Sequence, residues 1–144
     1  MRSLRLWISL AVLFPLSSLL PALAQDPSPA VPPIITAGLD AYRNVGIDQA
    51  FRAWLRNSPL HWDPAMAAPL HQAQDAFGTF ESWEVIGVRG LSPRTRIVYL
   101  VLDYQSGPEF AKFVAYQAGE PGWIVTSMKF SMDEDAVLQP PPPL

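Results

Sequence analysis

Apolar side chains recur at helical spacing in the part of the chain that follows residue 33. Ile35, Leu39 and Tyr42 fall on one stripe, which predicts a helix over residues 34–44. A second stripe predicts another helix over residues 47–57. Its members are Ile47, Phe51, Trp54 and Leu55. The segment Asn44-Val45-Gly46 between the two stripes is a helix stop signal.

A third helix is predicted from Asp63 to Phe77. Asp63 is a favoured N-cap residue, Pro64 suits the first helical position, and Gly78 follows the last turn. One face of this helix is apolar, through Met66, Leu70, Ala73 and Phe77.

From residue 79 the apolar period becomes two, and β-branched and aromatic residues dominate. Four strands are predicted, at Thr79–Arg89, Arg94–Gln105, Glu109–Gln117 and Trp123–Met132. Short turns rich in Gly and Pro separate them, so consecutive strands should pair as antiparallel hairpins. In the last strand one face should hold Ile124, Met128, Phe130 and Met132, and the other Ser127, Lys129 and Ser131. This order predicts an α+β fold, with the N-terminal helices packed on one face of a curved four-stranded antiparallel sheet.

Residues 1–24 have the pattern of a secretory signal peptide. Two arginines precede an apolar run from Leu6 to Leu20, and Ala22-Leu23-Ala24 supplies the small residues that signal peptidase requires. We expect cleavage before Gln25 and a periplasmic or secreted protein. The alternative is an uncleaved membrane anchor, although Pro and Ser residues interrupt the apolar run. After cleavage no membrane association is predicted.

Proline-rich segments flank the predicted domain. Residues 25–33 are predicted to be a linker, residues 34–135 the α+β domain, and residues 136–144 a Pro-rich C-terminal tail. The polyproline end of the tail has the composition of a ligand for an aromatic groove, but it is more typical of a frayed terminus.

Charge and cysteine content exclude several classes of function. The chain has 10 Lys+Arg and 13 Asp+Glu, for a net charge of −3, and no clustered basic surface for nucleic acid. It has no cysteine, which excludes disulfides, thiolate metal sites and a cysteine nucleophile. No motif indicates a cofactor.

Three phrases of the sequence resemble the nuclear transport factor 2-like family, which shares the cystatin-like cone fold. They are Phe77-Gly78-x-Phe80-Glu81-x-Trp83-Glu84-Val85-Ile86-Gly87, Tyr104-x-x-Gly107-Pro108-x-Phe110, and Tyr116 with Gly122-Trp123-Ile124-Val125. The resemblance extends over residues 34–135 and is strongest to small exported, uncharacterised bacterial members. It implies a cone-shaped domain, a fold that hosts isomerases, dehydratases, cyclases, transport factors and immunity proteins.

The catalytic members of that family place a His, or an Asp with a Tyr, inside the cone. No such motif transfers to this chain position by position. The residue types that acid–base chemistry requires are nevertheless present, at Asp40, Tyr42, Tyr99, Asp103 and Tyr104. Asp103 and Tyr99 are the candidate catalytic pair, because Asp103 lies in an apolar strand. The alternative is that Asp103 lies near the strand end and faces solvent.

The two histidines do not predict a metal site. The residue types of a two-histidine, two-carboxylate ligand set are present at His61, His71, Asp63 and Asp75. Of these, His71 and Asp75 share a helix face. Asp63, however, already has a use as an N-cap. We therefore predict no bound metal.

Aromatic residues are the strongest positive signal for binding. The candidates for a pocket inside the cone are Tyr42, Trp54, Trp83, Tyr99, Phe113 and Tyr116. The alternative is that most of these rings fill the core. Cross-strand charge pairs are expected on the outer face of the sheet, among Glu81, Glu84, Arg94, Arg96 and Lys112.

The sequence thus predicts an exported single-domain protein that binds a small apolar or aromatic ligand, or a protein partner, without catalysis. Binding would use the cone pocket or the exposed sheet, and the sheet would also serve a homodimer. The alternative is a small lyase or isomerase that uses Asp/Tyr acid–base chemistry inside the cone. A cystatin-like protease inhibitor ranks last, because residues 25–33 contain no glycine.

Overall fold

The structure is a computed structural model that describes residues 29–139. Its elements in chain order are α1 (Pro33–Asn44), α2 (Ile47–Trp54), α3 (Pro64–Phe77), β1 (Phe80–Ser92), β2 (Thr95–Tyr104), β3 (Gly107–Gln117), β4 (Trp123–Ser131) and α4 (Asp135–Leu138). The strands form one antiparallel sheet in the order β1-β2-β3-β4. The α+β fold class predicted from the sequence is confirmed. The predicted signal peptide, residues 1–24, lies outside the described residues.

The helices begin and end close to the predicted positions, for the predicted reasons. Pro33 and Pro64 each occupy the first turn of a helix, where a missing N–H costs nothing. The Asp63 carboxylate accepts a 2.9 Å hydrogen bond from the Ala65 amide, as an N-cap should. α2 is shorter than predicted. It ends at Trp54, and Asn57 has a φ of 57°, so the chain leaves the helix by a left-handed turn.

The end of α3 is fixed to the turn between β2 and β3. The Ser106 amide donates a 2.9 Å hydrogen bond to the Phe77 carbonyl. A Cβ atom on Gly107 would lie 2.6 Å from the Phe77 ring, so the close approach requires glycine at that position. The first two phrases that carried the family resemblance therefore meet at this corner.

All three long helices pack on one face of the sheet, here named the inner face. The core joins helix residues such as Leu39, Trp54 and Leu70 to inner-face residues such as Leu100 and Phe113. Side chains of alternating strand positions point to the opposite face, here named the outer face. The packing of the helices on one face of the sheet is the arrangement that the sequence predicted.

β4 departs from the predicted alternation at one point. Phe130 is buried and Lys129 is exposed, as expected, but a bulge at Thr126 shifts the register. Past the bulge Val125 lies opposite Ala115, and both are fully buried. Ile124 is therefore on the outer face, contrary to the prediction.

Both ends of the described region are held more firmly than the sequence suggested. The predicted tail begins at residue 136, but residues 135–138 form α4, whose Val137 is buried. The predicted linker also makes contacts, since Val31 packs against the core and the Arg96 guanidinium donates a hydrogen bond to the Ala30 carbonyl. Met132, predicted to face the core, follows the end of β4 and is 43% exposed.

No helix in the described part of the chain has both the length and the apolarity to cross a bilayer.

Candidate functional site

Three polar side chains meet inside the domain and form a hydrogen-bonded row, here named the tyrosine–glutamate chain. Tyr42 comes from α1, Tyr104 from β2 and Glu109 from β3. The two hydroxyls are 3.0 Å apart, and the Tyr104 hydroxyl lies 2.7 Å from Glu109 Oε2. Glu109 is 0% exposed, and its other oxygen, Oε1, has no hydrogen-bond partner among residues 29–139.

Burial dominates the acid–base behaviour of this row. It raises the pKa of Glu109 to about 7, although the hydrogen bond from Tyr104 acts in the opposite direction. It also raises the pKa of Tyr42 to about 12. The pKa of Tyr104 is raised far above its usual range, by burial first and by the Glu109 charge second. Near neutral pH the tyrosines are therefore protonated and Glu109 titrates.

The sequence reasoning missed Glu109. It treated the residue as the first position of a strand, although the alternation of β3 holds the signal. Glu109 shares its parity with Ala111, Phe113 and Ala115, all fully buried. A carboxylate at a position of this parity points to the inner face.

The predicted catalytic residues are not brought together. Asp103 and Tyr99 lie on the outer face, where the Asp103 carboxylate accepts a 3.1 Å hydrogen bond from the Ser82 hydroxyl. The Tyr99 hydroxyl is buried without a partner. Asp40 is exposed and pairs with Arg43 at 3.1 Å. Of the five residues expected for acid–base chemistry, only Tyr42 and Tyr104 meet.

The six aromatic residues predicted to line a pocket are also divided. Tyr42, Trp54 and Phe113 are buried in the core, while Tyr99 and Tyr116 lie on the outer face. Trp83 packs at the margin of the core under the Arg43 guanidinium, 4.9 Å from the ring centroid. These six residues therefore do not line one pocket.

Aromatic rings fill the space between the helices and the sheet. Trp54 is fully buried, and its ring centroid lies 5.1 Å from that of Phe113 and 5.6 Å from that of Phe130. Phe51 stands edge-on to Trp54 at 5.4 Å. Such separations are those of rings in direct contact. The alternative that the aromatics serve as core holds for this part of the domain.

A groove lies at the surface between α2 and the segment that follows it. It has a volume of about 430 Å³ and is lined by Asp48, Phe51, Arg52, Leu55, Leu60, His61 and Trp62. Trp62 is 47% exposed, and its ring lies 4.8 Å from the Phe51 ring. An aromatic wall that is half open to solvent is unusual among the rings of this domain and marks a surface able to hold another apolar group.

Local hydrogen bonds hold the walls of the groove in place. The Ser58 hydroxyl donates to the Val125 carbonyl and accepts from the Leu60 amide, which fixes the segment before His61 against β4. Asp63, the residue after Trp62, is then fixed at the start of α3 by its N-cap hydrogen bond from the Ala65 amide. The groove is thus built from a helix and a tethered segment.

Two charged residues lie one helical turn apart on the side of the groove that α2 forms. Asp48 and Arg52 are both exposed. Within residues 29–139 the one ion pair is Arg43–Asp40, so neither Asp48 nor Arg52 is engaged. The groove therefore offers a ligand an apolar floor, an aromatic wall and one free charge of each sign.

The histidines lie apart on the surface. His61 lines the groove, and His71 lines a shallower depression beside the start of α2. No group of three or more His, Cys, Asp or Glu residues converges within the described region.

The predicted cross-strand charge pairs are replaced by contacts between cations and aromatic rings. Arg94 lies 4.7 Å from the Tyr116 centroid, and Arg96 lies 4.6 Å from that of Trp123. Lys112 lies directly opposite Lys129 on the outer face, without an acidic partner in the described part of the chain. The pairing prediction fails because aromatic side chains occupy the positions next to the arginines.

No protein-family model matches the chain. A search of curated proteins gives no match either. Among solved structures, the chain is similar to a domain of unknown function with a cystatin-like fold from Nostoc punctiforme. The identity is 18%, the match covers 70% of this chain and 74% of that chain, and the TM-score is 0.49.

Proposed function

We propose that this protein is an exported, non-catalytic binding protein that holds a small aromatic or apolar ligand in the groove beside Trp62. The observation that carries the proposal is the half-exposed Trp62 ring over a groove of about 430 Å³, next to a domain interior that is already filled. Export is supported by the pattern of residues 1–24. The nuclear transport factor 2-like resemblance belongs to the same proposal and is supported by the order of helices and strands.

The groove has the features of a weak site for a small molecule. Its floor and one wall are apolar, through Phe51, Leu55 and Trp62, and its charged groups lie at the rim. An aromatic ring placed against Trp62 would extend the existing contact between Trp62 and Phe51. The rim charges Asp48 and Arg52 would orient a ligand with a polar end.

The alternative function, acid–base catalysis inside the domain, has suitable residues but no access for a substrate. Tyr42, Tyr104 and Glu109 are all buried, and their polar ends face one another. A general base must come within hydrogen-bond reach of the substrate proton, and these closed side chains offer no such approach. Binding at the surface is therefore the better supported function.

An NMR titration of the ¹⁵N-labelled protein tests the proposal. The probes are benzyl alcohol, phenylacetate and phenethylamine, which share a ring and differ in charge. We expect shifts confined to Phe51, Arg52, Leu60 and Trp62, with dissociation constants on the order of 1 mM, equivalent to about −4 kcal/mol.

Two matched variants decide which surface binds. Trp62→Ala should weaken binding about tenfold, the equivalent of about 1.4 kcal/mol. Leu91→Ala removes an apolar side chain of equal exposure, 48%, that does not line the groove, and should leave binding unchanged. Scattered shifts, or equal effects of the two substitutions, would refute the groove as the binding site.

A further inference from the structure

The tyrosine–glutamate chain contains a buried acid that lacks one of its hydrogen bonds. An ionised carboxylate accepts hydrogen bonds at both oxygens, yet Glu109 receives one, from Tyr104 at Oε2. Oε1 is buried, and the described part of the chain places no donor within its reach. A buried polar atom without a partner is costly, and a buried charge more so.

The neutral carboxyl group suits the same surroundings better. With its proton on Oε2, Glu109 donates to the Tyr104 oxygen, and Tyr104 donates to the Tyr42 oxygen. Loss of the proton reverses both bonds, because each hydroxyl has a single proton to donate, and it leaves a charge with one donor. The direction of the whole row therefore depends on a single proton.

The row also joins three elements of the fold. Tyr42 belongs to α1, and its ring stacks on Phe80 of β1 with centroids 4.2 Å apart and planes 7° from parallel. Tyr104 and Glu109 lie on either side of the turn between β2 and β3. A loss of these hydrogen bonds therefore weakens the contact between α1 and the sheet.

We propose that Glu109, through Tyr104 and Tyr42, makes the docking of α1 on the sheet pH-dependent. The protonated carboxyl holds α1 in place, and loss of the proton loosens α1 and admits water to the domain interior. This inference concerns the interior and is independent of the groove.

The other ionisable groups on the surrounding elements do not supply the missing partner. On β3 and β4, Lys112 and Lys129 lie opposite each other on the outer face. On α1, Asp40 and Arg43 are exposed and pair with each other. On α3, His71 and Asp75 are exposed. On and before α4, which packs against β3, the exposed Asp133, Glu134 and Asp135 carry the same sign as ionised Glu109 and could only disfavour its charge.

The sign and size of the pH effect follow from linkage. The pKa of Glu109 is raised to about 7 in the closed domain, while an open, solvated Glu keeps a value near 4.5. Stability from this group is therefore complete below about pH 4.5, falls as the pH rises, and levels off above about pH 7. Between pH 5 and pH 8 the equilibrium constant for opening should rise on the order of 50- to 100-fold.

Hydrogen exchange at a series of pH values, corrected for intrinsic exchange rates, measures this opening. We expect the protection of α1 amides to fall by that factor between pH 5 and pH 8 in the unmodified protein. The fall should disappear in Glu109→Gln. It should persist in Glu120→Gln, the same substitution at an exposed position in the turn between β3 and β4.

A second variant keeps the test valid if Glu109→Gln does not fold. Tyr104→Phe removes the donor that lowers the pKa of Glu109, so the loss of protection should move to higher pH. Constant α1 protection across pH 5–8 in the unmodified protein would overturn the proposal. So would a fall that survives in Glu109→Gln, one that is equal in all elements of the fold, or one that Tyr104→Phe moves to lower pH.

Discussion

Gly38 offers a sharp test of how the helices pack on one another. It lies in the middle of α1, where glycine normally weakens a helix. A Cβ atom at this position would lie 2.0 Å from Nε1 of Trp54 and 2.2 Å from Cδ1. The fully buried indole also donates a 3.1 Å hydrogen bond to the Ile35 carbonyl, so it has little freedom to move aside.

Two opposing effects determine the outcome of Gly38→Ala. Helix propensity alone should stabilise the protein by about 1 kcal/mol. Overpacking of a filled core costs about 1–3 kcal/mol. Displacing the Trp54 N–H from its acceptor adds about 1–3 kcal/mol for an unsatisfied buried donor. The three terms sum to an expected net loss of about 1–5 kcal/mol.

Urea unfolding followed by far-ultraviolet circular dichroism measures this loss. Ala37→Gly, at the exposed neighbouring position of the same helix, gives the propensity effect in isolation and should cost about 1 kcal/mol. A Trp54→Phe background has no indole N–H to displace from its acceptor, so Gly38→Ala should cost at least about 1 kcal/mol less there. If Gly38→Ala is neutral or stabilising in the unmodified protein, the close approach of α1 and Trp54 is wrong.

Two further predictions concern the last strand and the N-terminus. Phe130→Ala should cost about 3–5 kcal/mol in urea unfolding, because the ring packs among buried aromatics. Lys129→Ala should stay within about 0.5 kcal/mol, because Lys129 is exposed opposite Lys112; an equal loss would invert the faces of β4. The intact mass of protein recovered from the cell envelope should correspond to a chain starting at Gln25, and full-length chain in the membrane fraction would contradict cleavage.

The sequence predicted the layered fold because its local signals agree with one another. The stripe through Ile35, Leu39 and Tyr42 has a single helical period, and Asp63 with Pro64 gives an unambiguous helix start. The change to period two after Gly78 separates the helices from the sheet. These signals act over a few residues and need no knowledge of the tertiary contacts.

Features that depend on tertiary contacts were missed. The bulge at Thr126 is invisible in the pattern, because Ile124 and Val125 are both apolar and either could face the core. Glu109 was predicted only as the first residue of a strand, since the sequence does not show that Tyr104 lies beside it. α4 is a single turn, too short for a periodic signal, and depends on the burial of Val137.

The candidate site was predicted only in part. Tyr42 and Tyr104 were named for chemistry and do meet, but Asp103 faces away from them. Trp62 was not among the six aromatic residues predicted to line a pocket, because nothing in the neighbouring sequence marks it as the exposed ring. Exposure depends on how α2 and the segment after it pack, which is a property of the folded chain.

The aromatic cluster of Phe51, Trp54, Phe113 and Phe130 also constrains the order in which the domain can form. Each strand pairs with the strand next to it in sequence, so the three hairpins close over short loops and can form early. The rings of α2 contact each other and Trp62, but their aromatic partners in the sheet lie in β3 and β4, far along the chain. During synthesis from the N-terminus the helices therefore lack a complete core to pack on until residues 123–131 have been synthesised. A chain that ends before residue 123 should therefore remain unfolded, with Trp54 exposed to water. It should not form a less stable version of the same domain.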